Sequence, residues 1–395
     1  MKIPRPARNF HSSCSVIPRP LVRAALDAAL RRNRVTALVG PRRCGKTTLV
    51  RELARESGAT VFDMDDPGAR KALENPRQVL EPLSGLVIID GVEQDRDVVW
   101  HVRRIVEARR RTATFLVVSN ASRRLLGSCE DLLWDLPSIE MGGLGLTEVG
   151  ADGMTSLWVR GGMPQSFLAL DDAASFACRA EFIGEFLERD LGRMGITVGP
   201  RGLRRLWTMA GHHGGEPWNY SHLARSLNVD DMTVRRQVEV LAETFMLRVL
   251  PAWIERTGRR QRTAPKIHHR DSGVLHALLG LGTREEILSH PIAAPSWRSF
   301  AIEQVLKLVP SSDAHHWALH TGPALDLLVT CADKRLGFEF QLADDVFWSP
   351  ARKVAVEILG LERFLVVIPR GEARELDERV GALPLASVRE VLKTT

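Results

Sequence analysis

The sequence predicts an α/β chain: an N-terminal parallel sheet, then a helical region containing a helix-turn-helix with a wing, then a C-terminal α/β domain. Three observations predict it. The run VTALVG at 35–40 leads into a glycine-rich loop and an amphipathic helix; residues 203–253 read as helix, loop, helix, turn, helix, strand; and two alternating strands near 324–341 carry acidic residues. With 395 residues, at roughly 150 per domain, two or three compact domains are expected. A composition of 44% hydrophobic and 26% charged residues excludes general disorder.

No apolar run reaches about 18 residues, and the N-terminus lacks the apolar stretch of a secretory signal. A cytoplasmic protein with no membrane partner is therefore expected. Cys14, Cys44, Cys129, Cys178 and Cys331 are scattered and form no C-x-x-C pair, which excludes a disulfide framework and a zinc ribbon. The formal charge is only +6, but it is local: Arg256, Arg259, Arg260, Arg262, Lys266 and Arg270 are opposed in their stretch by Glu255 alone.

The strand 35–40 opens into Gly40-Pro41-Arg42-Arg43-Cys44-Gly45-Lys46-Thr47, a complete G-x-x-x-x-G-K-T, followed by Thr48 and a helix with Leu49, Val50 and Leu53 on one face. Strand, loop and helix are the context that makes the motif specific for phosphate. Residues 40–48 would cradle phosphate with backbone N–H groups and the positive helix end. Lys46 would reach the outer phosphates, and the Thr47 hydroxyl would sit on Mg²⁺. Leu86-Val87-Ile88-Ile89-Asp90 is a buried strand ending in an acid; Asp90 is the second expected Mg²⁺ residue, acting through Thr47.

Gly91 follows Asp90 where many such ATPases place a glutamate that orients water, so hydrolysis is expected to be weak. Glu93 is the alternative catalytic carboxylate, if a rearranged loop carries it in; otherwise it reads as surface. The strand Thr114–Val118 ends at Ser119-Asn120, and Asn120 is a candidate sensor of the outermost phosphate. Residues 61–66 form a further strand entering an acidic loop, whose acids face either nucleotide or solvent.

Farther on, Phe176, Phe182, Ile183, Phe186 and Leu187 recur at helical spacing, with Arg189-Asp190 beyond them as an ion pair or, for Arg189, an arginine finger in an oligomer. Ser221 is a suitable helix N-cap, and Val234, Val238 and Leu241 form a buried stripe that leaves Arg235, Arg236 and Gln237 outward. This is the pattern of a winged helix-turn-helix. Arg235, Arg236, Arg259, Arg260 and Arg262 are the candidate DNA-binding residues, the last three on the wing.

In the C-terminal domain, Glu303 lies on a helix, Asp326 on one strand and Glu339 on the next, with Gln341 two residues beyond. Alternate strand residues share a face, and D…E-x-K at this spacing would set two carboxylates on a metal and a lysine beside the attacking water. Gln341 stands where that lysine would be. Glu303, Asp326, Glu339 and Gln341 thus read as a vestigial nuclease centre.

Together the stretches GPRRCGKTTL, LVIIDG, LWVRGGMPQSF, FLERDL, NYSHLARSLNVDDMTVRRQVEVL, APKIHHRDSGVLHALLG, SFAIEQVL and LDLLV…GFEFQLAD resemble a prokaryotic family of AAA+-like P-loop ATPases joined to a winged helix and a degenerate PD-(D/E)xK nuclease-like domain. The resemblance implies an AAA+-like ATPase domain at 1–150, a helical connector or lid at 151–200, the winged helix at 201–262 and a restriction-endonuclease-like, inactive domain at 263–395. It implies ATP and Mg²⁺ as ligands, and DNA, a protein or a second copy of the chain (a homo-oligomer) as partners. Gly91 departs from the family's usual glutamate, Ala324 from an acid and Gln341 from lysine, while Trp134-Asp135 stand where relatives carry an arginine after a glycine. The expected function couples nucleotide state to DNA or partner binding through the winged helix. The alternatives are a nucleotide-stabilised protein-binding scaffold and a metal-dependent nuclease.

Overall fold

The computed structural model describes residues 16–95, 97–108, 113–126, 136–309, 314–331, 333–343 and 345–394. Cys14, Cys129, Trp134 and Asp135 lie outside the described residues. The chain forms two compact units, residues 1–143 with 192–196, and residues 144–191 with 197–395.

The first unit is built on strands β1 (Val35–Val39), β2 (Thr60–Asp63), β3 (Gly85–Asp90), β4 (Ala113–Ser119) and β5 (Ser138–Glu140), in the order β2-β3-β4-β1-β5. Every pairing is parallel. Parallel strands are covered on both faces, which is why VTALV, LVIID and TFLVV are near-continuous apolar runs. The covering helices include α1 (Pro20–Arg32), α2 (Lys46–Ser57) and α3 (Asp97–Glu107). Leu26 of α1 and Leu49, Val50 and Leu53 of α2 pack on Leu38, Ile88, Leu116 and Val118, each such side chain contributing about 1.5–3 kcal/mol. With one strand direction throughout, the loop after β1, Asp90 at the end of β3 and Asn120 just past β4 all emerge at one sheet edge, where open α/β sheets bind ligands.

In the second unit, α4 (Met154–Arg160) and α5 (Asp172–Glu185) pack with α9 (Ser272–Leu278). Arg179 of α5 donates to the carbonyls of Val159 and Gly273, and His276 of α9 bridges the Val159 carbonyl and the Ser296 hydroxyl. Of the stretch 151–200 expected as a helical connector or lid, residues 151–191 are thus packed into this unit, while 192–196 group with the first. Arg189 pairs with Glu185 one turn back, rather than with Asp190.

Next come α6 (Pro200–His212), α7 (Tyr220–Leu227), α8 (Asp231–Glu243) and an antiparallel hairpin of β6 (Leu247–Leu250) and β7 (Lys266–His269). Asn219, not Ser221, caps α7, its side chain accepting from the His222 N–H at 3.0 Å. Ser221 instead donates to Asp231 at 2.6 Å, and Asp230 caps α8. Val234, Val238 and Leu241 are buried as expected, but so is Gln237, which leaves Arg235 and Arg236 as the outward pair. The hairpin closes at β7, beyond residue 262, and its connecting loop is tied down: the Arg262 N–H donates to the Ala318 carbonyl and the His320 N–H to the Arg260 carbonyl.

After α10 (Ala293–Leu306), strands β8 (Ala314–Ala318), β9 (Ala324–Cys331) and β10 (Lys334–Phe340) form an antiparallel meander. Helix α11 (Pro350–Leu359) returns the chain to β11 (Arg363–Ile368), parallel to β10, and β12 (Arg374–Asp377) and β13 (Val380–Pro384) complete a six-stranded sheet in the order β12-β13-β11-β10-β9-β8. Trp317, Leu325, Leu328, Ala355, Leu359, Phe364 and Val366 form its core. Among the described residues no helix is long and apolar enough to cross a membrane.

Four histidines of this unit are held neutral. Burial pushes His268, His269 and His276 down to about 3, and His316 down to about 4. The unfolded chain takes up protons on them below about pH 6.5 and the folded chain does not, so stability falls as pH falls from about 6.5 toward 3. At pH 5 each costs about 2 kcal/mol relative to neutral pH. Calorimetric melts at constant ionic strength should show the second unit losing more than 10 °C between pH 7.5 and 5; an unchanged melt would show these rings to be protonated or hydrated in the fold.

Candidate functional site

Helix α2 begins without a side-chain cap, at Gly45, whose φ of 104° lies in the left-handed region. Residue 40 must also be glycine, since a Cβ there would stand 2.0 Å from the Met141 carbonyl oxygen. The loop 40–47 thereby joins the end of β1 to a helix start that no side chain caps, and an uncapped helix N-terminus after a glycine-rich loop is an anion-binding arrangement.

Lys46 is only 5% exposed. Its ammonium donates to the carbonyls of Gly40 (2.8 Å) and Pro41 (2.8 Å) and to Asn120 Oδ1 (2.9 Å). The Thr47 hydroxyl donates to Asp90 Oδ2 at 2.8 Å. Burial pushes the Asp90 carboxyl up to about 6, against the Thr47 hydrogen bond and the nearby Lys46 charge; Asp63 and Glu93 add repulsion. A raised carboxyl is one that a nearby divalent ion would draw down, which suits Asp90 to a cation held through Thr47.

Glu93 is not a surface residue. Past Gly91, whose φ is 91°, a 3₁₀ turn (Val92–Gln94) curls back and buries it, 5% exposed. Its Oε1 accepts from Asn120 Nδ2 at 2.6 Å and its Oε2 from the Asn120 N–H at 3.2 Å. Asn120 therefore joins Lys46 to Glu93, and no rearrangement of the loop is needed to bring that carboxylate to the sheet edge. The buried Cys44 Sγ donates to the Met141 carbonyl and lies 3.7 Å from the Lys46 ammonium. Thr48 is exposed beyond the loop. The acids of residues 63–66 serve local structure: Asp63 meets Arg51, Asp65 accepts from Gln94, and Asp66 accepts from the Gly68 N–H.

Sequence reasoning missed Arg19. Its guanidinium donates to the carbonyls of Cys44 (3.1 Å) and Gly142 (2.9 Å), bracing the loop from outside. No local pattern marks it, because its partners are 25 and 123 residues away.

In the second unit the four nuclease-type residues are neutralised. Glu303 is buried between Arg248, which grips both of its oxygens, and Arg270 at 3.4 Å. Burial would raise its carboxyl, but the two guanidinium groups hold it down at about 2. Asp326 meets Lys266 at 3.3 Å and Arg298 at 3.4 Å, and accepts from the Phe340 N–H. Glu339 is clamped by Arg352 (2.9 Å) and by the Gln341 amide (2.5 Å). Among the described residues no cluster of three or more His, Cys, Asp or Glu is placed to hold a metal. The positive charge beside Glu339 comes from Arg352 on α11, and it is paired with the carboxylate.

Two outcomes follow for these pairs. Glu303→Gln removes the buried carboxylate that Arg248 and Arg270 share and should destabilise by about 3 kcal/mol; a thermal melt within 1 °C of wild type would contradict the pairing. Gln341→Lys should not produce Mg²⁺- or Mn²⁺-dependent DNA cleavage, because Arg352, Lys266 and Arg298 still occupy the carboxylates; cleavage in a nuclease assay would overturn that.

A family model described as an AAA domain matches residues 32–149, and one described as a domain of unknown function (DUF8612) matches residues 152–285. An uncharacterised protein of Mycobacterium bovis and one of Mycobacterium tuberculosis are each 35% identical to this chain over 373 residues, 94% of this chain and 85% of each relative. Among solved structures, the Walker-type ATPase PABY2304 of Pyrococcus abyssi aligns over 67% of this chain and 96% of its own, at 13% identity and a TM-score of 0.47. A signal-transduction ATPase with a tetratricopeptide repeat sensor from Pyrococcus horikoshii aligns over 75% of this chain and 46% of its own, at 13% identity and a TM-score of 0.23. The chain belongs to the family of these mycobacterial proteins and carries an AAA-type P-loop ATPase domain at residues 32–149.

Proposed function

We propose that the protein binds Mg-ATP at the sheet edge of its first unit, hydrolyses it with Glu93, and uses nucleotide state to control DNA binding by its second unit. The observation that carries this reading is the chain of contacts from Lys46 through Asn120 to Glu93, beside Thr47 and Asp90. The residues fit both ligands. The loop amides of 40–47 and Lys46 would hold the phosphates; Thr47, with Asp90 behind it, would hold Mg²⁺, which neutralises charge on the outer phosphate oxygens.

Lys46 is satisfied by two loop carbonyls and Asn120, and phosphate oxygens are the natural replacements for those acceptors. When Lys46 turns outward, Asn120 Oδ1 loses its donor while its amide still holds Glu93. Asn120 thus reports occupancy of the loop to the carboxylate that would orient water. Gly91 does not leave the site without a base. Its left-handed backbone, and the 3.2 Å that would separate a Cβ from the Met64 Cβ, make position 91 unsuitable for a side chain and send the chain back to present Glu93.

For the second unit, the order α6, α7, α8, hairpin supports a winged helix, and the order α10, β8, β9, β10, α11, β11 supports a PD-(D/E)xK-like scaffold without its chemistry. Arg236, Arg256, Arg259, Arg260 and Arg262 are exposed, and they serve as phosphate contacts rather than as core. The C-terminal sheet anchors the wing through Ala318 and His320, giving the degenerate domain a holding role.

Two measurements test this. Lys46→Ala should weaken ATP binding at least 100-fold by calorimetry, and Gly91→Glu should lower the melting temperature without raising turnover; a Gly91→Glu enzyme faster than wild type would place the missing base at 91. If about six phosphates are contacted, log K for a DNA duplex should fall with log salt at a slope of roughly −5, and Arg236→Ala, Arg259→Ala and Arg260→Ala should each lower its magnitude by about 1. Absence of salt-dependent duplex binding would favour a protein-binding scaffold.

A further inference from the structure

The second unit holds a cavity of about 500 Å³ where α7, α8 and the descending side of the wing converge. It is lined by Trp218, Tyr220, Arg235 and Arg262, with Asn219 and Ser221 at its edge. No acidic side chain lines it. Asn219 and Ser221 are committed to capping α7 and to Asp231, so the ionic chemistry of the cavity belongs to its two guanidinium groups. These come from separate elements, Arg235 from the outward face of α8 and Arg262 from the wing, and both are exposed.

The walls are built for a flat ligand. Arg235 lies over the Tyr220 ring, 4.1 Å from its centroid, so the guanidinium extends the aromatic face as a planar cation. Trp218 is buried and meets Tyr220 edge to face at 6.3 Å; His213 in turn packs edge to face against Trp218. The Trp218 backbone N–H donates to the Pro265 carbonyl at 2.7 Å, which fixes this wall to the hairpin. A stacked arginine–aromatic pair offers a base its face, a second arginine offers phosphate a bidentate partner, and the volume lies in the range of small-ligand pockets.

We propose that this cavity takes a single unpaired nucleotide of a DNA strand, its base on the Tyr220–Arg235 stack and its phosphate on Arg262. The inference rests on the assignment of this unit to DNA and adds a substrate class. A base reaches a pocket only after leaving the duplex stack, so the favoured DNA carries a single-stranded tail or gap beside the duplex held by α8 and the wing.

The test uses the full-length protein and two labelled DNAs, a blunt duplex and the same duplex with a short thymidine tail carrying one 5-iodouracil. Wild type should bind the tailed DNA on the order of tenfold more tightly, as stacking of one base provides. Irradiation should cross-link the iodouracil to the peptide containing Trp218 and Tyr220. Tyr220→Ala should abolish the preference while leaving blunt-duplex affinity within about twofold, and Tyr220→Phe should keep it, which separates loss of stacking from loss of fold. Equal affinity for both DNAs, with the cross-link elsewhere, overturns the pocket while the DNA assignment stands. Failure to bind either DNA overturns both. If free thymidine monophosphate at micromolar concentration removes the tail preference, the cavity belongs to a free nucleotide and the strand assignment falls.

Discussion

A nearly buried lysine whose ammonium is held chiefly by carbonyl and amide oxygens sets the conditions for the rest of the first unit. The Lys46 ammonium has to be solvated by protein, and three oxygen acceptors do most of this, the carbonyls of Gly40 and Pro41 and the side chain of Asn120, with the Cys44 Sγ farther off at 3.7 Å. Two of them belong to the loop itself, so the loop is closed on its own cation. The third ties the loop to the neighbouring strand, and through it to Glu93. Parallel strand order makes this economical. Strands β1, β3 and β4 all end at the same edge, so three residues separated by up to 74 positions meet without any long excursion of the chain.

The second unit answers the same physical demand in the opposite way. Its acidic residues at 303, 326 and 339, read from the sequence as a vestigial metal centre, are each met by arginine or lysine from another element. Buried ion pairs contribute little net stability over apolar packing, yet removing one partner is costly. The pairs therefore lock the hairpin and α11 to the sheet, and the carboxylates serve as joints. Arg248 and Arg270 of the hairpin region both converge on Glu303 of α10, so the hairpin is fastened at its base as well as along its connecting loop.

Much of the first unit was legible because its signals are local. A buried strand, a loop with glycines at both ends and an amphipathic helix occupy consecutive residues, and Asp90 and Asn120 are the polar residues that end apolar runs. Glu93 was harder: its burial depends on a left-handed glycine followed by a 3₁₀ turn, and a polar GVEQ stretch reads as an exposed loop. Strand β5 is three residues long, half-polar, and recognised only by its pairing with β1. Gln237 lies one residue outside the apolar stripe, and packing of α8 against its neighbours, not periodicity, buries it. Arg19 and the partners of Glu303 were invisible because their contacts join residues 25 to 123 and 55 positions apart. The two helices Tyr220–Leu227 and Asp231–Glu243 were readable from their periodicity, whereas the cavity beside them required knowing that Tyr220, Arg235 and Arg262 converge.

The account stands most directly on Glu93. Single-turnover cleavage of radiolabelled Mg-ATP should be measured for wild type and Glu93→Gln, with nucleotide affinity determined on the same preparations. A carboxylate that orients water predicts a cleavage rate on the order of 100-fold slower in Glu93→Gln, with ATP affinity within a few-fold of wild type. Equal cleavage rates at equal affinity would show that Glu93 only braces Asn120, and the proposed route to hydrolysis would be wrong.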